Sequence, residues 1–206
     1  NINYYLNSGS STNATFGIQT GTSNPFDTVD VGLEAVPAFV DIDNDGDMDV
    51  FIGQYNGDVS YYENTGTASA QNFVLRTGPS NPINGLNSAW SRLAPTFVDI
   101  DNDGDKDLIL GVGYNDAVEY FQNTGTSSNP IFTQQIGTSN PFNGFFLEHA
   151  APSFIDVDKD GDMDAFVGGA QGDIKFYENT GTAASPTFTL QTGASNPFNS
   201  LDAVSY

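Results

Sequence analysis

Three nine-residue stretches of this chain are dense in one kind of ligand chemistry. Asp41, Asp43, Asp45, Asp47 and Asp49 recur as Asp99, Asp101, Asp103, Asp105 and Asp107, and again as Asp156, Asp158, Asp160, Asp162 and Asp164. Together they hold 15 of the 26 acidic residues in the chain. Crowding like charge in this way is costly unless a cation neutralises it. In an extended segment Asp41, Asp43 and Asp45 fall on one side. Gly46 then permits a sharp turn that wraps the loop around an ion. The spacing matches the first half of a calcium loop of the EF-hand kind, in which position seven (Asp47, Asp105, Asp162) offers its backbone carbonyl. Asp49, Asp107 and Asp164 then close the shell with their side chains.

Oxygen-only donors select calcium, with about three ions expected, one per loop. Magnesium demands a tight octahedron and retains its waters, and zinc wants the His or Cys of which this chain has one and none. A complete EF-hand is excluded. Its twelfth position needs a glutamate, where this sequence has Ile52, Leu110 and Val167.

The acidic loops belong to a longer repeat. Pro37-Ala38-Phe39-Val40, Pro95-Thr96-Phe97-Val98 and Pro152-Ser153-Phe154-Ile155 precede them, with the prolines 58 and 57 residues apart. Asn-Thr-Gly-Thr occurs at 64–67, 123–126 and 179–182, with Asn7-Ser8-Gly9-Ser10 as a looser copy. Ser-Asn-Pro-Phe/Ile begins at Ser23, Ser80, Ser139 and Ser195. Full repeats therefore span 37–94, 95–151 and 152–206, while 1–36 matches only the second half of one.

Each repeat reads as four short strands, in the first copy Ala38–Asp41, Met48–Gly53, Val59–Glu63 and Phe73–Arg76. Asn56-Gly57 is a strong hairpin signal between the second and third. Sixteen Phe and nine Tyr favour strands and furnish a core. Four antiparallel strands in about 57 residues make one blade of an all-β propeller, or of an open part of one. A parallel β-helix has a much shorter repeat.

These segments resemble FG-GAP-like repeats of the VCBS type, found in integrin α-subunit propellers and large secreted bacterial proteins. PTFVDIDNDGDKDLILG and its sister copies carry the likeness, which covers essentially the whole chain. The Phe-Gly and Gly-Ala-Pro signatures survive only loosely, as Phe51-Ile52-Gly53 and Ala94-Pro95. The resemblance implies the same ligand roles for the acidic loops.

Charge and composition narrow the function. A formal charge of −21 repels nucleic acid and anionic membranes. No stretch is long and apolar enough to span a bilayer, so membrane insertion is not expected. Without cysteine there is no disulfide framework and no thiolate metal site.

No nucleophile motif accompanies His149, which reads as structural beside Glu148. Glu34 and Glu148 lie on equivalent loops and do not read as an acid/base pair. Trp90 and Arg92 sit in an inter-blade loop that can line a ligand-binding mouth; Trp90 reads first as ordinary packing, with stacking on a sugar as the alternative. Asn13-Ala14-Thr15 matches a glycosylation sequon by pattern.

The expectation is a calcium-stabilised, non-catalytic binding or adhesion module of an extracellular or cell-surface protein, with a protein or glycan ligand. The alternatives are a self-assembling building block of an extracellular filament or layer, and a propeller domain of a polysaccharide-degrading enzyme. The half repeat at 1–36 and the start at Asn1 further suggest an excised or processed piece, whose neighbours are further repeats or other copies.

Overall fold

In the computed structural model, residues 2–86, 92–113 and 118–198 are described. β1 (Tyr4–Asn7) and β2 (Phe16–Gln19) form a two-stranded sheet. The remaining strands form three four-stranded antiparallel sheets, each in simple sequence order. The first contains β3 (Val36–Val40), β4 (Asp49–Gly53), β5 (Val59–Asn64) and β6 (Phe73–Arg76). The second contains β7 (Ala94–Val98), β8 (Asp107–Gly111), β9 (Val118–Asn123) and β10 (Phe132–Gln135). The third contains β11 (Ala151–Ile155), β12 (Asp164–Gly168), β13 (Ile174–Asn179) and β14 (Phe188–Gln191). These are the blades of a propeller-like repeat protein, and the sheets do not close a ring. No helix among the described residues is long and apolar enough to cross a membrane.

Pro37 lies inside β3, opposite Ile52, rather than at the strand's entrance. The position tolerates proline because β3 is the edge strand of its sheet. The first strands of successive blades, β3, β7 and β11, pack on one another, so this edge faces the neighbouring blade.

The core lies between the sheets. Phe51, Tyr61, Ile83, Leu108 and Phe121 belong to the cluster joining the first and second blades. Ile109, Tyr120, Phe142, Phe145 and Val167 belong to the cluster joining the second and third. The Ser-Asn-Pro marker is explained by its turn. Asn24, Asn81 and Asn140 each accept the backbone N–H two residues on, at 2.9–3.0 Å, and the intervening proline presets φ. The turn drives the next residue inward: Phe26, Ile83 and Phe142 are 5%, 3% and 1% exposed.

Blades also meet backbone to backbone. Leu93 N–H donates to the Gln54 carbonyl at 3.3 Å, and His149 N–H to the Gly113 carbonyl at 3.0 Å. A Cβ on Gly53 or Gly111 would lie 2.0 Å from the carbonyl oxygen of Leu93 or Ala150, so only glycine fits where a second strand ends against the next inter-blade loop.

Candidate metal centre

Each acidic loop joins the first and second strands of a blade and closes on its own first aspartate. Asp41 accepts the backbone N–H groups of Asp45 and Gly46, both at 3.1 Å. Asp99 does the same with Asp103 and Gly104, also at 3.1 Å. Asp156 takes Lys159 N–H at 2.6 Å and Gly161 N–H at 3.2 Å. The sixth-position glycines, Gly46, Gly104 and Gly161, have φ of 95°, 98° and 97°, as the sharp turn requires. The fourth residue is also left-handed. Asn44 and Asn102 fill it in two loops (φ 59° and 57°), while Lys159 fills it in the third (φ 68°).

This folding gathers carboxylates. One oxygen from each of Asp41, Asp43 and Asp45 lies within 4.8 Å of the others, and Asp99, Asp101 and Asp103 repeat the arrangement. In the third loop the group is Asp156, Asp158 and Asp164. Asp160 is outside that trio and exposed.

The ninth position is buried in all three loops: Asp49, Asp107 and Asp164 are 2%, 1% and 2% exposed. One oxygen of each accepts the backbone N–H at the end of the third strand, from Asn64, Asn123 and Asn179 at 2.7–2.8 Å. In the first two blades a tyrosine hydroxyl donates to the other oxygen, Tyr61 to Asp49 at 3.4 Å and Tyr120 to Asp107 at 3.2 Å. The third blade has Phe176 at that place and no hydroxyl to offer. Its Asp164 is the ninth-position residue that joins the carboxylate trio. Burial pushes Asp49 up to about 6 and Asp107 up to about 7, against the partial relief of those N–H bonds.

The seventh position holds a further clue. Asp47, Asp105 and Asp162 are 7%, 8% and 7% exposed, and Oδ1 of each is buried without a hydrogen-bond partner. Burial, then the neighbouring Asp45 and Asp41 charges, push Asp47 up, and burial with Asp160 beside it pushes Asp162 up to about 6. The nearby Asn64 carboxamide eases the shift at Asp47 without hydrogen-bonding its Oδ1. Carboxylate oxygens held out of water without donors call for a proton or a cation. Asp43 and Asp101 each add a buried, unpartnered Oδ1. The residues present thus fit a hard divalent cation with oxygen ligands.

Sequence reasoning missed the role of Asn64, Asn123 and Asn179. Asn64 Oδ1 accepts the N–H groups of Gly66 and Asn72 at 3.1 and 2.9 Å, while its own backbone N–H holds Asp49. One residue therefore ties the acidic loop to the Asn-Thr-Gly-Thr hairpin. The signal was present: the asparagine follows the ninth-position aspartate by 15, 16 and 15 residues.

Other candidates are placed as follows. Glu34, Arg92 and His149 occupy equivalent positions, each three residues before a repeat proline, and come together across three inter-blade loops. Glu148 turns away from them to accept Gln171 Nε2 at 3.1 Å. Asn13 is exposed in the hairpin after β1. Trp90 lies outside the described residues.

A family model described as an FG-GAP-like repeat matches residues 41–110 and again 99–167. Each match starts on the first aspartate of an acidic loop. Among curated proteins, none matches the chain.

Proposed function

Since the chain belongs to the FG-GAP-like repeat family, we propose that it is a non-catalytic, calcium-stabilised binding module of an extracellular or cell-surface protein. The three carboxylate clusters, two of them with a buried, unpartnered Oδ1 on Asp43 or Asp101, carry this reading. Asp41, Asp43, Asp45 and Asp49 would hold the ion in the first loop, with the Asp47 backbone carbonyl. Asp99, Asp101, Asp103, Asp105 and Asp107 would serve the second, and Asp156, Asp158, Asp160, Asp162 and Asp164 the third. Bound calcium would neutralise the clustered charge, and millimolar extracellular calcium suits such sites.

The protein's own residues do the rest. Asn64 and its counterparts fix the loop to the hairpin, and the inter-blade glycines let the blades close on one another. What results is a rigid stack whose loops can present a surface to a protein or glycan ligand.

Titration calorimetry tests the calcium proposal. Three equivalents should bind to the intact chain, and Asp43→Asn should remove or cripple one of them while leaving two. Uptake of no calcium at millimolar concentration would refute it.

A further inference from the structure

The third strand of each blade sets one residue beside the acidic loop. Tyr61 and Glu63 of β5 share a face of their strand, as do Tyr120 and Gln122 of β9. Together with the third-position aspartate of the loop, Asp43 or Asp101, each pair lines a cavity against the next blade, of about 380 and 290 Å³. The fourth strand adds a residue at a matched place: Arg76 is in register with Tyr61, and Gln135 with Tyr120. In the third blade the two places hold Glu178 and Gln191. Among the three full repeats, only the second therefore has an amide on the third strand next to its third-position aspartate.

That difference changes how the aspartate is held. Gln122 Nε2 donates to Asp101 Oδ2 at 2.8 Å, and Gln122 Oε1 accepts Gln135 Nε2 at 3.3 Å. The amide is gripped at its oxygen, so its donor end faces the loop. Asp101 Oδ1 is left buried and without a hydrogen-bond partner. The carboxylate is thus fixed through one oxygen and bare at the other. In the first blade Arg76 takes both oxygens of Glu63, at 2.8 and 2.9 Å. An ionised carboxylate has no hydrogen to give Asp43. Asp43 Oδ1 is also buried and unpartnered, but its carboxylate meets a like charge where Asp101 meets an amide. Burial above all, with the charges of Asp45, Asp41 and Glu63 behind it, pushes the Asp43 carboxyl up.

We propose that Gln122 is a positioning residue of the second metal centre, that Gln135 holds it in place, and that the residue at this point of the third strand sets the calcium affinity of the loop beside it. The inference rests on the calcium reading and concerns what tunes those sites. Gln122 is not itself a ligand, since Asp101 occupies its nitrogen and Gln135 its oxygen. A hydrogen bond that orients a ligand from outside the coordination shell is worth roughly 10–100-fold in metal affinity. Charge does not override it here. Arg76 offsets Glu63 and leaves the first loop little additional attraction for a cation. The three loops are therefore unequal: alike in their aspartates, they differ in what steadies the third one.

The test titrates the intact chain with calcium against a competing chelator and follows the amide NMR signals of Gly46 and Gly104, which report the first and second loops separately. Gln122→Met keeps the length and packing of the side chain but loses the donor. It should weaken calcium at Gly104 by about tenfold or more, leave Gly46 within about twofold, and leave the melting temperature in chelator unchanged. Lys106, exposed in the second loop, is common to both proteins and drops out of the comparison. Glu63→Gln supplies the missing donor beside Asp43 while its oxygen still accepts from Arg76, so it should tighten calcium at Gly46 by about threefold or more. This second variant keeps the test decisive should Gln122→Met unfold. A Gly104 titration unchanged by Gln122→Met, a Gly46 titration unchanged by Glu63→Gln, or an equal shift at both glycines would overturn the inference alone. No response of any loop glycine to calcium would overturn the calcium reading, and this inference with it.

Discussion

The Arg92 guanidinium pairs with the Glu34 carboxylate one inter-blade loop earlier, and donates to His149 of the loop after it, 2.6 Å from Nδ1. The three residues are the same position of three repeats, each held at positive φ (55°, 63° and 56°). Repetition has thus put an acid, a guanidinium and an imidazole into contact across neighbouring blades. Donation from Arg92 requires an unprotonated ring nitrogen on His149.

The pair is partly exposed, so its contribution is modest. A double-mutant cycle with Arg92→Gln and Glu34→Gln should give a coupling of about 0.5–1 kcal/mol, smaller at high salt. A coupling indistinguishable from zero at low salt would show that the contact does not join the blades.

Lys159 occupies a left-handed position that asparagine fills in the other two loops. A lysine there carries roughly 1 kcal/mol of backbone strain that asparagine largely avoids. Lys159→Asn should therefore stabilise the protein by about 0.5–1 kcal/mol, raising the melting temperature by roughly 1–4 °C. It also removes a positive charge from an ion-binding loop, so calcium affinity of that loop should rise. A lower melting temperature would contradict the strain argument.

Asn64 satisfies Gly66 and Asn72 N–H groups and stands beside the Asp47 carboxylate. Asn64→Ala leaves two partly buried backbone donors without their acceptor, a cost of about 1–2 kcal/mol. It should also weaken calcium binding at the first loop, although Asn64 is not a proposed ligand. Chemical denaturation with calorimetry checks both. An effect on stability with first-loop calcium affinity intact would confine Asn64 to the hairpin.

In excess chelator the pH dependence follows from the buried aspartates. Their folded values, about 6 for Asp49 and about 7 for Asp107, lie above the ordinary carboxylate value near 4. Between these limits the folded state binds more protons than the unfolded one, so stability falls as pH rises from about 4 to 7. The chelated protein should melt at a higher temperature at pH 5.5 than at pH 7.5, and the increment due to calcium should grow with pH. A chelated melt that rises with pH over this range would show that these carboxylates are not held in unfavourable surroundings.

Much of this was legible in the residues. The acidic loops, the period and the four strands per repeat follow from spacing alone, because alternation and turn chemistry are local properties. The wiring between elements was not. Nothing in the local pattern around Asp49 tells that Asn64 grips it from the far end of another strand. The meeting of Glu34, Arg92 and His149 depends on how inter-blade loops stack, which the repeat register places but does not bring into contact. The different trio in the third loop accompanies two substitutions, Phe176 in place of Tyr61 and Tyr120 and Lys159 in place of Asn44 and Asn102, neither of which breaks the repeat pattern.

The most direct test of the calcium account is the melting temperature of the intact chain at pH 7.5 in calcium and in excess chelator. With free calcium at ten times the Kd of each loop, three sites contribute about 4 kcal/mol by mass action. For a chain of this size that corresponds to a rise of roughly 8–16 °C. The account predicts that rise, and predicts that magnesium at the same concentration gives much less. The same melting temperature in calcium and in chelator would contradict it.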